Sequence, residues 1–497
     1  MGKEGKKSGI RALDFFCIGF GAIVGVGWAV SINNWMANCG GSVPAATGYL
    51  LALVMMIPIA LVYCELVPML PVAGGGMAFA YKAFGEVVSL LSGWAAFGAF
   101  VAIIPWEAIQ ITDVLGYLIP SLNNSPTLYT VMGYDVKLTT IIIGAVFSIL
   151  IYLLNRRGLA AAAKVQNVLC VVLIGTAVLG AVAAVIGGSL SNVTTNIYDV
   201  TNPDIYGAAS NGLKEVSHSN FFGGAFAIIA SAPFFLAGFE TIPQGVEDAG
   251  GDIKSVGKTV VFSVALACIF YAVLLFCFGY GMPWQKFYTL ERPAAATLFK
   301  VIYPGTAGTV FYWIITAGAL AGLFTTWNGF FTASASLLMA MGRARLVPSI
   351  FAKKDKAGVP QNGLIVCFVL SLIGPFLGAN LIDTVTCFSA AAFVLSWMIT
   401  AWCLIRLRKT MPDADRPYRI PGGLPMAYFA AIVASVIFVL LFIPKNPVYM
   451  GSKSVIVFGT WIIIGFALYT ANIKERKAVS PKERAKVLFG NITNHIN

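Results

Sequence analysis

This chain reads as an all-α membrane protein of twelve transmembrane helices, and three observations carry that expectation. Hydrophobic residues fill 58% of its 497 positions and charged residues only 11%, where a water-soluble globule averages about 25% charged; mean hydropathy is +0.82. Apolar runs of about twenty residues, enough to cross a bilayer as a helix, recur twelve times. Two of these runs, the first and the sixth, are interrupted by helix breakers in corresponding places. Backbone that leaves the helix inside lipid is tolerated only where it lines a cavity, and interruptions paired five helices apart mark the site of a carrier built from inverted repeats.

The runs lie near 14–37, 43–69, 86–119, 139–155, 162–186, 221–247, 256–280, 306–340, 362–380, 382–406, 424–444 and 453–472. In the first, Gly19, Gly21, Gly25 and Gly27 crowd GFGAIVGVGW, each costing roughly 1 kcal/mol in a helix relative to alanine. Close packing explains Gly21 and Gly25 as well as a break does, since they form a small-xxx-small pair. The sixth run adds the second break, with Pro233, Gly238, Pro243 and Gly245 around Glu240. A helix opened near its middle exposes N–H groups at the start of one half and carbonyls at the end of the other, which suit a carboxylate and an ammonium or cation. A basic segment precedes the first run, but no small-residue cleavage site follows it, so that run is expected to be a retained span and not a signal peptide.

Loop charge orients the chain. Of 33 Lys and Arg residues, 26 fall on the side of the termini and 7 on the other, which predicts both ends cytoplasmic. The formal charge of +12 is thereby explained by an anionic leaflet, and a nucleic-acid partner is not expected. Nine scattered cysteines without CxxC spacing and two histidines suggest neither disulfides, nor a metal centre, nor an enzyme, and no cofactor. Gly74, Gly75 and Gly76 lack the Lys-Ser/Thr ending of a phosphate loop and read as a flexible cytoplasmic turn.

Three acids sit in apolar surroundings, where each costs at least about 2.5 to 3.5 kcal/mol. Glu65 ends the second span beside prolines, where a structural role suffices. Glu240 follows the break of the sixth. Glu107, in IIPWEAIQ of the third, shares a helical face with Gln110 and Asp113; facing a cavity it would pair with an amine or carry a proton, and facing a neighbouring helix it would only bond to a hydroxyl or indole.

The motif GFGAIVGVGW resembles the first-span signature of the amino acid-polyamine-organocation superfamily. YCELVPMLPVAGGGMAFAYKAFG, NRRGLAAAAKVQNVL, FFLAGFETIPQGVED, SASLLMAMGRARLVPSIFAKKDKAGVPQNGL and RPYRIPGG are similar, in order, to later stretches of that family. The resemblance implies two inverted five-helix repeats with broken helices 1 and 6, plus two extra helices. Residues 14–190 and 221–406 would be the repeats, 407–472 the extra helices, 191–220 an extracellular loop, and 1–13 and 473–497 cytoplasmic termini. It implies a secondary carrier of a small amino acid or organic amine, working by alternating access in a cell inner membrane; a substrate-sensing receptor or a polyamine or amino alcohol carrier is the alternative. Whether it is a monomer or homodimer is left open.

Matched residue by residue, the family's pocket falls on Ile23, Gly25, Val26 and Gly27 and on Phe234, Phe235 and Ala237, with Glu107 this chain's own addition. Phe234 matches an aromatic lid, Trp327 and Phe330 are candidate second gates, and Glu240 a coupling or gating acid. Proton-coupled members often carry a fifth-span lysine, where this chain has Leu173. Sodium coupling would instead use carbonyls near Ala22 with the hydroxyls of Thr325 and Thr326, although such hydroxyls commonly bond to their own helix. H+ and Na+ both remain candidate coupling ions. Thr384, Thr386 and Ser389 of the tenth span are further candidate liners.

Overall fold

A computed structural model describes residues 10–131, 133–194, 221–250, 253–356, 358–378, 382–444, 446 and 448–490. Most of the expected loop at 191–220, and the outermost residues of both termini, lie outside the described residues. Ten helices are long and apolar enough to cross a membrane: Ala12–Val30, Ser42–Met69, Glu86–Leu118, Leu138–Arg156, Leu159–Ile186, Ile253–Gly281, Thr306–Arg343, Thr384–Thr410, Gly423–Leu440 and Ser452–Ala471. They fall on ten of the twelve apolar runs. The remaining two runs form shorter helices: the sixth is Phe221–Phe235, cut off by its break, and the ninth is Gln361–Leu377.

The first, third and tenth spans form the centre, buried over 78%, 83% and 89% of their most apolar stretch, against 28% and 17% for the eleventh and twelfth. The second packs along the seventh, and the first lies among the fifth, seventh and eighth. An apolar helix that shows little burial presents its side chains to lipid, as Val168, Val171 and Ile463 do.

Two local structures depart from the expectation. Thr127–Val131 and Tyr134–Lys137 pair as an antiparallel hairpin between the third and fourth spans; β-branched and aromatic residues in TLYTV favour the extended chain, and Tyr129 hydroxyl donates to Phe376 O at 3.0 Å. The glycine turn is packed and not loose. Gly74 N–H donates to Gln244 Oε1 at 3.0 Å, Gly75 lies at φ +47 against Pro243, and Gly76–Phe84 continues as a helix.

At the end of the second span Glu65 is fully buried and accepts from Arg408 Nε at 2.9 Å, Arg408 Nη2 at 2.5 Å and Ile420 N–H at 2.9 Å, with Arg416 Nε at 3.3 Å. One carboxylate thus ties the second span to the tenth and to the loop before the eleventh. Glu65→Ala would leave buried Arg416 without its counter-charge, and a loss of about 3 to 5 kcal/mol is expected, read as a lower unfolding temperature of the purified protein.

Candidate functional site

The first span stops at Ile23 and restarts at Gly27. Val24 departs from helical angles at φ −94, ψ 84, and the N–H groups of Val26 and Gly27 donate to nothing among the described residues. The sixth span stops at Phe235 and restarts at Thr241. Between these ends Gly238 sits at φ +134, a conformation closed to side chains. It also touches the other break: a Cβ there would lie 2.6 Å from both Ala22 C and Ile23 N. The two interruptions therefore meet backbone to backbone at the centre of the bundle.

Freed backbone groups on the packed side of the breaks are met one by one, as an interior without water requires. Tyr271 hydroxyl donates to Ile23 O at 3.1 Å and Thr326 hydroxyl to Gly21 O at 3.2 Å, while Gln166 Nε2 reaches Cys17 O, inside the intact helix before the break, at 3.3 Å. Glu240, at the start of the sixth span's second half, accepts from Gly238 N–H at 2.7 Å and from Trp397 Nε1, while Thr241 hydroxyl donates to Gly238 O at 2.6 Å.

On the open side a cavity with about 400 Å³ of atom-free space is lined by Ala22, Ile23, Gly25, Val26, Gly27, Ile103, Trp106, Glu107, Phe234, Phe235, Thr326 and Phe330. The carbonyls of Phe234 and Phe235 accept no hydrogen bond from the described residues. Unspent donors of the first break and unspent acceptors of the sixth thus border one cavity. Phe234, whose ring stands 5.9 Å from Trp106 and 5.1 Å from Phe235, also lines a second cavity with Thr386, Cys387, Ala390, Leu441, Val448, Tyr449 and Met450. Its side chain is the partition between the two.

Most expected site residues converge there. Ile23, Gly25, Val26, Gly27, Glu107, Phe234 and Phe235 line the cavity, as do Ala22, Thr326 and Phe330. Ala237 is buried behind it. Trp327 is buried too, its ring parallel to Phe324 at 6.5 Å. Thr325 hydroxyl bonds back to Gly322 O at 2.8 Å, and Glu240 is held at the break as described. Thr386 faces the second cavity, and Ser389 hydroxyl donates to Ala99 O at 3.0 Å. Ile103 and Trp106 were not singled out from sequence; Ile103 stands four residues before Glu107, a spacing that marks the same face.

A sequence model described as "Amino acid permease" matches residues 10–468. The chain belongs to that family. The permease is similar to a branched-chain amino acid permease of Bacillus subtilis (strain 168), with 24% identity over 94% of this chain and 93% of the relative. It is also similar to an aspartate-proton symporter of the same organism, 23% identical over 85% and 77%, and to an L-asparagine permease of Escherichia coli (strain K12), 22% identical over 86% and 82%. It is a multi-pass membrane transporter and not an enzyme.

On the face of the termini, Glu247 follows the sixth span. Burial opposes its ionisation, but Arg343, with Nη1 at 2.6 Å, Ala73 N–H at 3.1 Å and Lys354 Nζ at 3.4 Å outweigh this and hold its carboxyl below the usual range. The tie it makes between the second-span turn, the sixth and the eighth spans is complete above the ordinary carboxylate range and is lost as pH falls through the lowered value.

The close approach at Gly238 gives a direct test. Gly238→Ala is expected to cost about 2 kcal/mol or more through clash and a forbidden φ. Gly175→Ala, whose Cβ would meet nothing within 4 Å, is expected to be neutral or slightly stabilising; thermal unfolding of the two variants beside the parent protein checks both.

Proposed function

We propose that the permease is a secondary active carrier that binds its cargo between the two helix breaks and works by alternating access. The observation supporting this most strongly is the single cavity bordered by unspent N–H groups of Val26 and Gly27 and unspent carbonyls of Phe234 and Phe235. Those donors suit an amino acid's carboxylate and those acceptors its ammonium group. Phe234 acts as the lid, and Phe330 closes the cavity from the eighth span.

In this reading residues 14–190 and 221–406 are inverted five-helix repeats, the shorter sixth and ninth helices complete twelve spans, and both termini are cytoplasmic in an inner membrane. The 26-to-7 division of basic residues supports that orientation. The proton is the favoured coupling ion, because a relative is named an aspartate-proton symporter. Glu240, which bridges the sixth break to Trp397 of the tenth span, is the proposed proton-sensitive gate: neutralising it weakens its hold on both partners.

Uptake of a panel of labelled amino acids and amines into proteoliposomes tests the reading. Saturable uptake, faster with acid outside and unchanged when sodium is replaced by choline, is expected. Absence of uptake for every compound would overturn the carrier, and dependence on sodium would overturn the proton.

A further inference from the structure

The first three acids noted in the sequence have different fates. Glu65 is met by two arginines and a backbone N–H, and Glu240 by a backbone N–H and an indole. Glu107 is equally buried, 2% exposed, yet its Oε2 has no hydrogen-bond partner. No charged side chain among the described residues acts on it; Arg292 and Lys137 act on Asp113, six residues further along the same helix. None of the other residues around the cavity is basic, and apart from Thr326 and Glu107 itself the side chains there are apolar or aromatic.

A carboxylate left in such surroundings is costly unless a cation or donor meets it. The fold supplies neither to Glu107 Oε2, although it supplies cations and a donor to Glu65 and donors to Glu240. Glu107 instead looks into the cavity beside Trp106 and Phe234, whose rings stand 5.9 Å apart. Aromatic faces next to an anion favour an organic cation, which gains from the ring quadrupole and the charge together. The breaks already offer partners for a carboxylate and an ammonium group, so Glu107 is a third, separate recognition element.

We propose that Glu107 receives an ammonium group of the cargo, so that this permease takes amino acids or amines bearing a cationic group away from the end held at the helix breaks. The proposal rests on the central cavity being the cargo site. It separates this chain's cargo from the branched-chain amino acids that a relative's name gives.

The test is equilibrium binding of lysine, ornithine, putrescine, leucine and norleucine to purified parent protein and Glu107→Gln. Norleucine retains the length of lysine without its terminal charge. The parent protein is expected to bind at least one of the three cations more than about tenfold more tightly than norleucine, and Glu107→Gln to lose that preference, in line with removal of one partner from a buried charge pair. Equal binding of leucine or norleucine by both proteins, with no cation preferred, would overturn the inference and leave the carrier standing. Failure of the parent protein to bind or transport any amino acid or amine would overturn both. Should Glu107→Gln not fold, the lysine-to-norleucine ratio of the parent protein decides alone: a ratio near one contradicts the proposal.

Discussion

The contact of Gly238 with the backbone of Ala22 and Ile23 is the constraint on which the rest of the molecule depends. Two helices can be broken deep in an apolar bundle only if the backbone groups they release find partners, and two breaks that touch can share one set of supports. Tyr271 from the seventh span, Thr326 from the eighth and Glu240, itself held by Trp397 of the tenth, supply them. The groups that these residues do not reach are the ones that border the cavity. The site is the unsatisfied remainder of an otherwise satisfied polar centre.

A second buried network shows how far that satisfaction extends. Gln166 Nε2 also donates to Thr325 O at 3.0 Å, its Oε1 accepts from Asn328 Nδ2 at 2.8 Å, and Asn328 Oδ1 accepts from Asn155 Nδ2 at 2.9 Å. Asn155 in turn accepts from Thr332 hydroxyl. The first, fourth, fifth and eighth spans are therefore linked through side-chain amides, whose length and paired donor and acceptor let them bridge helices where a hydroxyl would bond to its own turn. Such links hold register between helices that apolar packing alone leaves free to slide.

Ten of the expected spans and the two breaks were legible because they are local signals: run length for the spans, and glycine and proline for the interruptions. Ile23, Gly25, Val26, Gly27, Phe234 and Phe235 could be placed around the central cavity because a break fixes its own neighbours. The eighth span was harder. Thr325 and Thr326 are adjacent, as are the faces of Trp327 and Phe330 to a reader of sequence, and only the packing of the helix turns Thr326 and Phe330 inward. Glu240's partner Trp397 is 157 positions away, and Glu65's arginines are more than 300 away, so no local pattern announces either. The tail after the last span read as a plain extension. It forms a helix, Pro481–Phe489, that docks through Arg484 Nη2 on Glu86 at 2.6 Å, a contact set by tertiary placement alone.

The central claim, that the opposed breaks hold the cargo, is tested most directly by determining the structure of the purified permease saturated with whichever panel compound raises its unfolding temperature most. The account predicts the bound molecule between Val26–Gly27 and Phe234–Phe235, under the Phe234 ring. A molecule seated elsewhere, with the central cavity empty, would contradict it.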